Sequence, residues 1–307
     1  MTGHIIEVEG ASARQRLDLF LMEFAASTGL GLSRTAIQHC IVSGRVSVDG
    51  RTVHKASFKV SAGSKIVFEP EAAKTDPALV GEDIPLDVVY EDEDIAVINK
   101  PAGLVVHPAP GNAAHTMVHA MLNRFGTLSD INPHRPGIVH RLDKETSGLI
   151  VIARNNAAHH ALAKQFADHS IKRKYVALVK GRVEYDENVI ELSIGRHPTR
   201  REHMAVHSGV NARYAKTRYR TIKRTDTVSL LELEPYTGRT HQLRVHLSYI
   251  GHPIMGDAKY GRQAAFPRMA LHAKYLGFMH PSSGKFIEFE TGTPKEFSDA
   301  VRSKESS

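Results

Sequence analysis

Asp143 is the residue with the clearest potential for chemistry, because its carboxylate lies in a polar segment, 140–148, between two apolar runs. The second of these runs, 149–152, has the pattern of a buried strand, so the polar segment is predicted to be a loop between two strands of the core. Loops on a rigid scaffold often carry reactive groups. Arg141 and Lys144 flank Asp143, and nearby cations favour the ionised form of a carboxylate. Such a carboxylate can act as a nucleophile or as a general base.

The same residues also fit a plainer interpretation, in which a solvated loop simply carries ion pairs. Structural ion pairs perturb carboxylates in the same way as catalytic environments do. Composition alone favours this plainer interpretation. The choice therefore depends on whether the segment belongs to a longer pattern.

The nine residues from 140 to 148 read His-Arg-Leu-Asp-Lys-Glu-Thr-Ser-Gly, and they resemble the signature of the RluA-type pseudouridine synthases, which isomerise uridine in RNA. Four further segments resemble motifs of that family and occur in the family's order. They are the segments 90–108, 174–181, 238–246 and 271–281. Together the five motifs span roughly residues 85 to 290, which makes a chance match to this family very improbable.

The resemblance implies three catalytic residues. Asp143 corresponds to the essential aspartate, and Arg239 is expected to pair with it through a fixed guanidinium fork. Tyr175 is expected to stack on the uracil of an extruded uridine. Without the resemblance, Arg239 would be interpreted as a helix-edge arginine and Tyr175 as an ordinary strand aromatic. The reaction exchanges a ribose–nitrogen bond for a ribose–carbon bond without a redox change, so no cofactor is expected.

Basic residues near these motifs are predicted to contact the RNA. Arg141 is expected to fill the space left by the extruded base or to hold a phosphate. The other predicted contacts in this part of the chain are Lys172, Arg173, Lys174, Arg200 and Arg201. A further set of cations, Lys216, Arg218 and Arg220, alternates along a predicted strand and so shares one face. We interpret that face either as a basic stripe for RNA or as plain solvated surface.

The N-terminal residues 11–70 are predicted to form a compact unit of two helices and a hairpin. Apolar residues at helical spacing mark the first helix, and Ser33 and Gly44 have the residue types of a helix N-cap and C-terminus for the second. An Asp-Gly turn predicts the hairpin. This order resembles a small RNA-binding module named after a primary-binding protein of the small ribosomal subunit, called here the S-four-like domain. Its predicted phosphate contacts are Arg16, Arg34, Arg45 and Arg51.

Residues 71–84 are predicted to be a linker, since they lack periodicity and carry Pro and Gly. Residues 85–295 are predicted to form the catalytic domain. Its predicted strands cluster instead of alternating regularly with helices, which indicates an α+β fold with a mixed, largely antiparallel sheet. The family resemblance implies the same fold.

The composition fits a basic protein with a polyanionic partner. The 307 residues carry a formal net charge of +7, which suits RNA. The only cysteine is Cys40, so an internal disulfide is excluded and a reducing compartment is expected. We find neither a secretory signal pattern nor a bilayer-spanning apolar run, and we expect a cytoplasmic monomer. The 19 histidines lack the usual spacing of metal ligands, and no phosphate-binding glycine motif occurs, so neither a metal nor a nucleotide cofactor is expected.

The leading hypothesis is an RNA pseudouridine synthase closest to the RluD-like branch, which acts on large-subunit ribosomal RNA or a pre-ribosomal particle. A synthase for transfer RNA is an alternative within the same class. A non-catalytic RNA-binding or ribosome-assembly factor is an alternative of a different class, but it would have no physical reason to keep Asp143, Tyr175 and Arg239. A base-removing glycosidase is disfavoured, because no second catalytic carboxylate is evident.

Overall fold

The computed structural model describes residues 3–70, 79–109, 111–261 and 266–302. The chain divides into two compact units, one ending at residue 78 and the other beginning at residue 79. Residues 71–78 of the predicted linker lie outside the described residues.

The first unit contains two helices and a four-stranded antiparallel sheet. The helices are α1 (Leu17–Ser27) and α2 (Arg34–Val42). The strands are β1 (His4–Glu7), β2 (Val46–Val48), β3 (Arg51–Thr52) and β4 (Lys65–Phe68), in the order β1-β4-β2-β3. The helices and the sheet share one core of buried apolar side chains. The predicted order of helix, helix and hairpin is confirmed.

Local sequence explains where these elements begin and turn. Ser33 precedes α2 and its hydroxyl accepts a hydrogen bond from the Ala36 amide at 3.2 Å, which satisfies one of the free amides of the first turn. Asp49 and Gly50 join β2 to β3 with φ angles of 50° and 77°. Two successive positive φ angles match the twist of a tight hairpin, and Asp-Gly tolerates them.

The second unit is built around a nine-stranded sheet with four helices among the described residues. The strands before the loop that carries Asp143 and just after it are β5 (Val88–Glu91), β6 (Ile95–Lys100), β7 (Ser147–Ala153), β8 (Lys172–Lys180) and β9 (Glu187–Glu191). The later ones are β10 (Ile194–Arg196), β11 (Met204–Val206), β12 (Lys216–Arg224), β13 (Val228–Pro235), β14 (Leu271–Met279) and β15 (Phe286–Glu290). The helices are α3 (Met117–Phe125), α4 (Asn156–Ala167), α5 (Gln242–Tyr249) and α6 (Lys295–Arg302).

Strands β10 and β11 form a separate hairpin, and the other nine form the large sheet. Its order is β5-β6-β7-β14-β8-β13-β12-β9, with β15 also pairing with β14. Every described pairing in this sheet is antiparallel except that of β7 with β14. The predicted α+β fold with a mixed, largely antiparallel sheet is confirmed.

The parallel contact between β7 and β14 joins two antiparallel halves of the sheet. It is short, with two paired positions, His272 with Ser147 and Ala273 with Gly148. Gly148 has a φ of 109°, and a Cβ atom there would collide with the backbone of Ala273. Only glycine fits such a backbone conformation at such a close approach. The loop that carries Asp143 ends here, so this contact fixes where that loop leaves the sheet.

Candidate active site

The loop before β7, strand β8 and the start of α5 surround a cavity of about 660 Å³. Asp143, Tyr175, Arg239 and Arg141, all predicted from the sequence, line this cavity. Its wall therefore combines residues from distant parts of the chain, with a carboxylate, an aromatic ring and guanidinium groups facing one space. Pockets of this size with a few convergent polar groups are typical of ligand sites.

Asp143 forms an ion pair with Arg244. The Nη1 atom of Arg244 donates to Oδ2 of Asp143 at 2.8 Å. The same guanidinium forms two bonds with Asp257, from Nε at 2.7 Å and from Nη2 at 2.9 Å. The Asp257 side chain is fully buried. Arg244 is therefore held by one carboxylate and donates to the other, so it orients the side chain of Asp143.

The predicted pairing of Arg239 with Asp143 is wrong, because the side chain of Arg239 binds the backbone of Tyr214 instead. Its Nε donates to the backbone carbonyl of Tyr214 at 2.9 Å. The turn before α5 is fixed by the buried Gln242, whose Oε1 accepts from the Arg239 amide at 3.0 Å and from the Thr237 hydroxyl at 2.7 Å. Arg239 thus remains at the cavity wall, while Arg244, the second arginine of the same motif, contacts Asp143.

Tyr175 lies on β8 and packs against two apolar clusters of the second unit. Burial raises the pKa of its hydroxyl; Arg173 opposes this rise and Asp143 adds to it. The ring is therefore a neutral, largely apolar surface beside the carboxylate. This is the environment that a planar base requires for stacking.

Arg173, in the predicted RNA-facing stretch 172–174, lines the cavity. Strand residues two apart share a face, so Arg173 lies on the same face as Tyr175 and lines the cavity. Its buried Nε has no hydrogen-bond partner within the described part of the chain. The predicted RNA contacts Lys172 and Lys174 alternate with it and lie over the rings of Phe286 and Tyr275, at 5.2 and 5.6 Å. They are not among the residues that line the cavity.

Lys100 fixes the backbone beside Asp143. It is fully buried, and its ammonium donates to the carbonyls of Pro101, Leu104 and Lys144 at 2.8, 2.9 and 3.0 Å. Burial lowers the pKa of Lys100 to about 8, although Glu145 and Asp143 act in the opposite direction. At neutral pH its bond to Lys144 therefore holds the loop at the residue next to the carboxylate, and its other two bonds tie this point to the segment that follows β6.

His140, at the start of the loop, anchors it to the core of the second unit. Its Nε2 accepts a hydrogen bond from the Val151 amide at 3.1 Å, and its ring stacks on Phe166 with centroids 4.4 Å apart. Burial, assisted by the charge of Arg173, lowers the pKa of His140 to about 3. A neutral ring with an occupied acceptor anchors the loop and is unsuited to proton transfer near neutral pH.

The remaining predicted contacts in this unit are on the surface. Arg141 is exposed, and no partner for its side chain occurs among the described residues. Arg200 and Arg201 are exposed in the turn between β10 and β11. Their role in RNA binding stays a prediction.

Of the two interpretations of the 216–220 strand face, the structure favours the solvated one. Glutamates on neighbouring strands pair with all three cations. Lys216 lies 3.3 Å from Glu191, Arg218 lies 2.7 Å from Glu187, and Arg220 lies 3.3 Å from Glu232. The face is thus an array of alternating charges and not a positive stripe.

In the first unit, Arg16 and Arg34 bind a buried carboxylate. Arg16 donates to both oxygens of Asp18 at 2.9 and 3.1 Å, and Arg34 and Gln38 donate to Oδ2, each at 2.9 Å. The bond from Arg16 is the largest of the effects that lower the pKa of Asp18. About half of each arginine side chain stays exposed, so a phosphate contact remains open to them. Arg45 is partly buried beside β2, and its contact with RNA also stays a prediction.

The described residues include one group whose atoms are close enough to hold a metal ion, formed by Asp92, Asp94 and His280. The oxygens of Asp92 already accept hydrogen bonds from the Tyr90 hydroxyl at 2.6 Å, from two backbone amides at 2.8 and 2.9 Å, and from His280 at 2.7 Å. These protein donors account for the closeness of the three side chains, which stabilise the turn before β6.

Comparisons with known proteins identify the family. Residues 94–249 match the model of the RNA pseudouridylate synthase family, and residues 15–66 match that of the S4 domain. The described part of the chain contains no helix with the length and apolar character needed to span a bilayer.

Relatives extend over nearly the whole chain. The uncharacterized RNA pseudouridine synthase YlyB of Bacillus subtilis is 42% identical over 94% of this chain and 93% of its own length. The ribosomal large subunit pseudouridine synthase D of Zymomonas mobilis is 44% identical over 86% of this chain and 87% of its own. The solved structure of human RNA pseudouridylate synthase domain containing 1 is 30% identical and superposes with a TM-score of 0.59, over 70% of this chain and 86% of that chain. The chain therefore belongs to the RNA pseudouridylate synthase family, isomerases that act on RNA, and carries an S4 domain at its N-terminus.

Proposed function

We propose that this enzyme isomerises specific uridines of large-subunit ribosomal RNA and that Asp143 is its catalytic group. The observation that supports Asp143 most directly is the unequal environment of its two oxygens. Oδ2 accepts a hydrogen bond from Arg244 at 2.8 Å and lies 3.8 Å from Nε2 of His241. Oδ1 has no hydrogen-bond partner within the described ranges, and the residue lines the cavity. Arg244 thus holds one oxygen, while the other has no protein partner within the described ranges and is available to a substrate in the cavity.

This arrangement fits the bond changes of the reaction. The bond from the ribose anomeric carbon to the base nitrogen breaks, the base turns, and a base carbon bonds to the same ribose carbon. The proton on that base carbon is lost to solvent, and the nitrogen that leaves gains one. The carboxylate either attacks the anomeric carbon or removes a ribose proton, and both roles require an ionised aspartate with a free oxygen.

Tyr175, Arg244, Arg173 and Arg141 have supporting roles in this proposal. The ring of Tyr175 stacks on the extruded uracil and compensates part of the unstacking cost. Arg244 donates to Oδ2 of Asp143 and fixes its rotamer. Arg173 and Arg141 bring positive charge to the cavity, where the phosphates flanking the extruded nucleotide must pass.

The proposed substrate class rests on relatives named ribosomal large subunit pseudouridine synthase D, including one from Escherichia coli that is 39% identical over 94% of this chain. The net charge of +7 and the S4 domain are consistent with an RNA of that kind, free or in an assembling particle. Transfer RNA is the alternative substrate. The cytoplasmic location and the monomeric state also stay predictions.

The test uses large-subunit rRNA transcripts that carry tritium on the uracil carbon that bonds to ribose in the product. Wild type is expected to release tritium to water. Asp143→Asn is expected to lose activity by roughly 10³-fold or more, because the amide is nearly isosteric but neither nucleophilic nor basic. RNA affinity, measured by filter binding, should remain within about threefold of wild type, since phosphate contacts dominate affinity.

Asp226→Asn provides a matched control, because it makes the same substitution at a side chain that is 96% exposed. It should release tritium at the wild-type rate. Turnover by Asp143→Asn at a rate close to this control would contradict the proposed role of Asp143. Release from transfer RNA but not from ribosomal RNA would replace the proposed substrate and leave the proposed role intact.

A further inference from the structure

His241 has an unusual backbone and a central position in the site. Its φ of 56° lies in the left-handed region, directly before α5. A residue other than glycine in this region is uncommon, and such strain is often found at functional sites. The imidazole lies between two groups: Nδ1 is 2.7 Å from the Tyr260 hydroxyl, and Nε2 is 3.8 Å from Oδ2 of Asp143.

The hydrogen bonds around Tyr260 determine which nitrogen of His241 carries the proton. The backbone amide of Met204 donates to the Tyr260 hydroxyl oxygen at 2.8 Å. Among the described residues, His241 Nδ1 is the acceptor within reach of the hydroxyl proton. Nδ1 must then be unprotonated, so the neutral ring carries its proton on Nε2, the nitrogen that faces Asp143.

Burial favours the neutral form of the His241 ring, because it lowers the pKa of this imidazole. Arg244 and Lys259 act in the same direction, whereas Asp143 and Asp257 oppose it. A neutral Nε2–H directed at a carboxylate is a donor without a net charge of its own. It therefore leaves Arg244 as the cation that balances Asp143.

Tyr260 also contacts the group that holds Arg244. Its backbone amide donates to Oδ1 of Asp257 at 3.0 Å, and the Arg244 guanidinium carbon lies 5.0 Å from the centre of its ring. Tyr260 thus contacts both side chains that face Oδ2 of Asp143. No other residue within the described ranges has hydrogen bonds or ring contacts with His241, Asp257 and Arg244 together.

We propose that His241 and Tyr260 are positioning residues of the reaction, in which a hydrogen-bond chain from the Met204 amide through Tyr260 fixes His241 as the Nε2–H tautomer and directs that N–H toward Oδ2 of Asp143. The inference rests on the proposed role of Asp143. Arg244 and His241 both face the same oxygen, so they hold the carboxylate in one rotamer and leave Oδ1 for the nucleotide. Since Met204 belongs to the β10–β11 hairpin, the position of that hairpin is coupled to the tautomer.

The test combines kinetics with an independent spectroscopic measurement. Tyr260→Phe removes the hydroxyl and keeps the ring over Arg244. His241→Asn removes the imidazole and keeps a residue that tolerates the left-handed backbone. We expect each variant to lower the single-turnover rate on the rRNA transcript by about 10-fold or more, because small displacements of a reacting group have effects of this size. RNA affinity should not change.

The double variant decides whether Tyr260 acts through His241. If it does, Tyr260→Phe combined with His241→Asn is no slower than His241→Asn alone. In parallel, ¹⁵N spectra of histidine-labelled enzyme should show the His241 ring, identified by its loss in His241→Asn, as the Nε2–H tautomer in wild type and as a mixture in Tyr260→Phe. A purely structural role for Tyr260 would not change this tautomer.

Tyr249→Phe is the control, because this tyrosine ends α5 and is 61% exposed. It should match wild type in rate and spectrum. Losses that multiply in the double variant, a wild-type rate in Tyr260→Phe, or a His241 ring protonated on Nδ1 in wild type would each overturn the proposal. Turnover by Asp143→Asn would instead contradict the role of Asp143, and the ¹⁵N spectra test the hydrogen-bond chain whether or not the enzyme is active.

Discussion

Asp18 in the first unit and Asp143 in the second are both bound by arginine, yet the two carboxylates differ in whether an oxygen remains free for a further partner. Arg16 and Arg34, together with Gln38, donate to Asp18, whose side chain has no exposed surface. In Asp143, by contrast, only Oδ2 accepts a hydrogen bond from a side chain within the described ranges. A quarter of the Asp143 side chain is exposed, and the residue lines the cavity.

The difference shows that an arginine–carboxylate pair does not by itself indicate a reactive group. When both oxygens of the carboxylate have donors and the side chain is buried, the pair ties elements of the fold together. When one oxygen remains open to a cavity and the arginine is itself held by a second carboxylate, the pair orients a reactant. Three substitutions test this distinction.

The largest effect is expected at Arg244. Arg244→Lys keeps the charge but cannot hold Asp257 and Asp143 with one planar fork, so the single-turnover rate should fall by roughly 100-fold. Arg239→Lys, in the same motif, should change the rate by less than about fivefold, because its Nε donates to a backbone carbonyl and not to Asp143. Tritium release measures both rates, and circular dichroism melting checks that both variants fold. Equal losses in the two variants would place Arg239 back beside Asp143.

An intermediate effect is expected at Lys100, through pH. The pKa of its ammonium is about 8, so the rate should decline above pH 8, because the neutral amine has two protons for three carbonyls and holds Lys144 less firmly. The folded pKa lies below the ordinary value of 10.5. For this group, folding stability therefore rises with pH between about 8 and 10.5, and unfolding would not explain the decline.

Lys100→Met should be slower than wild type by roughly 10- to 100-fold, since the loop is misplaced, and should lack the decline above pH 8. The rate is measured from pH 6 to pH 9.5 in single-turnover reactions. If the rate of Lys100→Met still declined above pH 8, the decline would belong to the titration of a different group.

The smallest effect on rate is expected at Asp18. Asp18→Asn leaves Arg16 and Arg34 with a neutral partner, so the first unit should lose about 1–3 kcal/mol in its free energy of unfolding at pH 7, while turnover changes by less than about twofold. The folded pKa of Asp18 is lowered from 3.8. Its stabilisation is therefore complete above the unfolded value and disappears as pH falls through the folded one.

Urea titrations at pH 7 and pH 3, followed by hydrogen exchange within α1, measure this difference, which should be smaller at pH 3. Glu23→Gln on the exposed side of α1 is the control. A large loss of turnover with normal stability would show that Asp18 resembles Asp143 more closely than its contacts indicate.

The sequence motifs predicted which segments meet in the site but not which side chains within them touch. Asp143 and Tyr175 line one cavity as expected. Arg239 and Arg244 lie five residues apart in one motif, and the choice between them depends on how Gln242 fixes the turn before α5. Gln242 also donates to the Lys216 carbonyl and the Thr217 hydroxyl, and contacts so far apart along the chain have no local sequence signal.

The alternation of side chains along β8 predicts which cations of the stretch 172–174 share a face with Tyr175. Because Tyr175 faces the cavity, the alternation of β8 places Arg173 on the same face and Lys172 and Lys174 on the other. The same rule correctly grouped Lys216, Arg218 and Arg220. Their glutamate partners, however, lie on β9 and β13, and strand register across a sheet cannot be obtained from a single strand.

The short parallel contact between β7 and β14 affects the order in which parts of the chain can fold during synthesis. Asp143 precedes β7, and its partner Arg244 follows 101 residues later. Arg244 is held by Asp257, and β14 links the two halves of the sheet only from Leu271 onward. During synthesis from the N-terminus, the S4 domain can fold long before these residues leave the ribosome. A growing chain can therefore have its RNA-binding module before it has an assembled catalytic site.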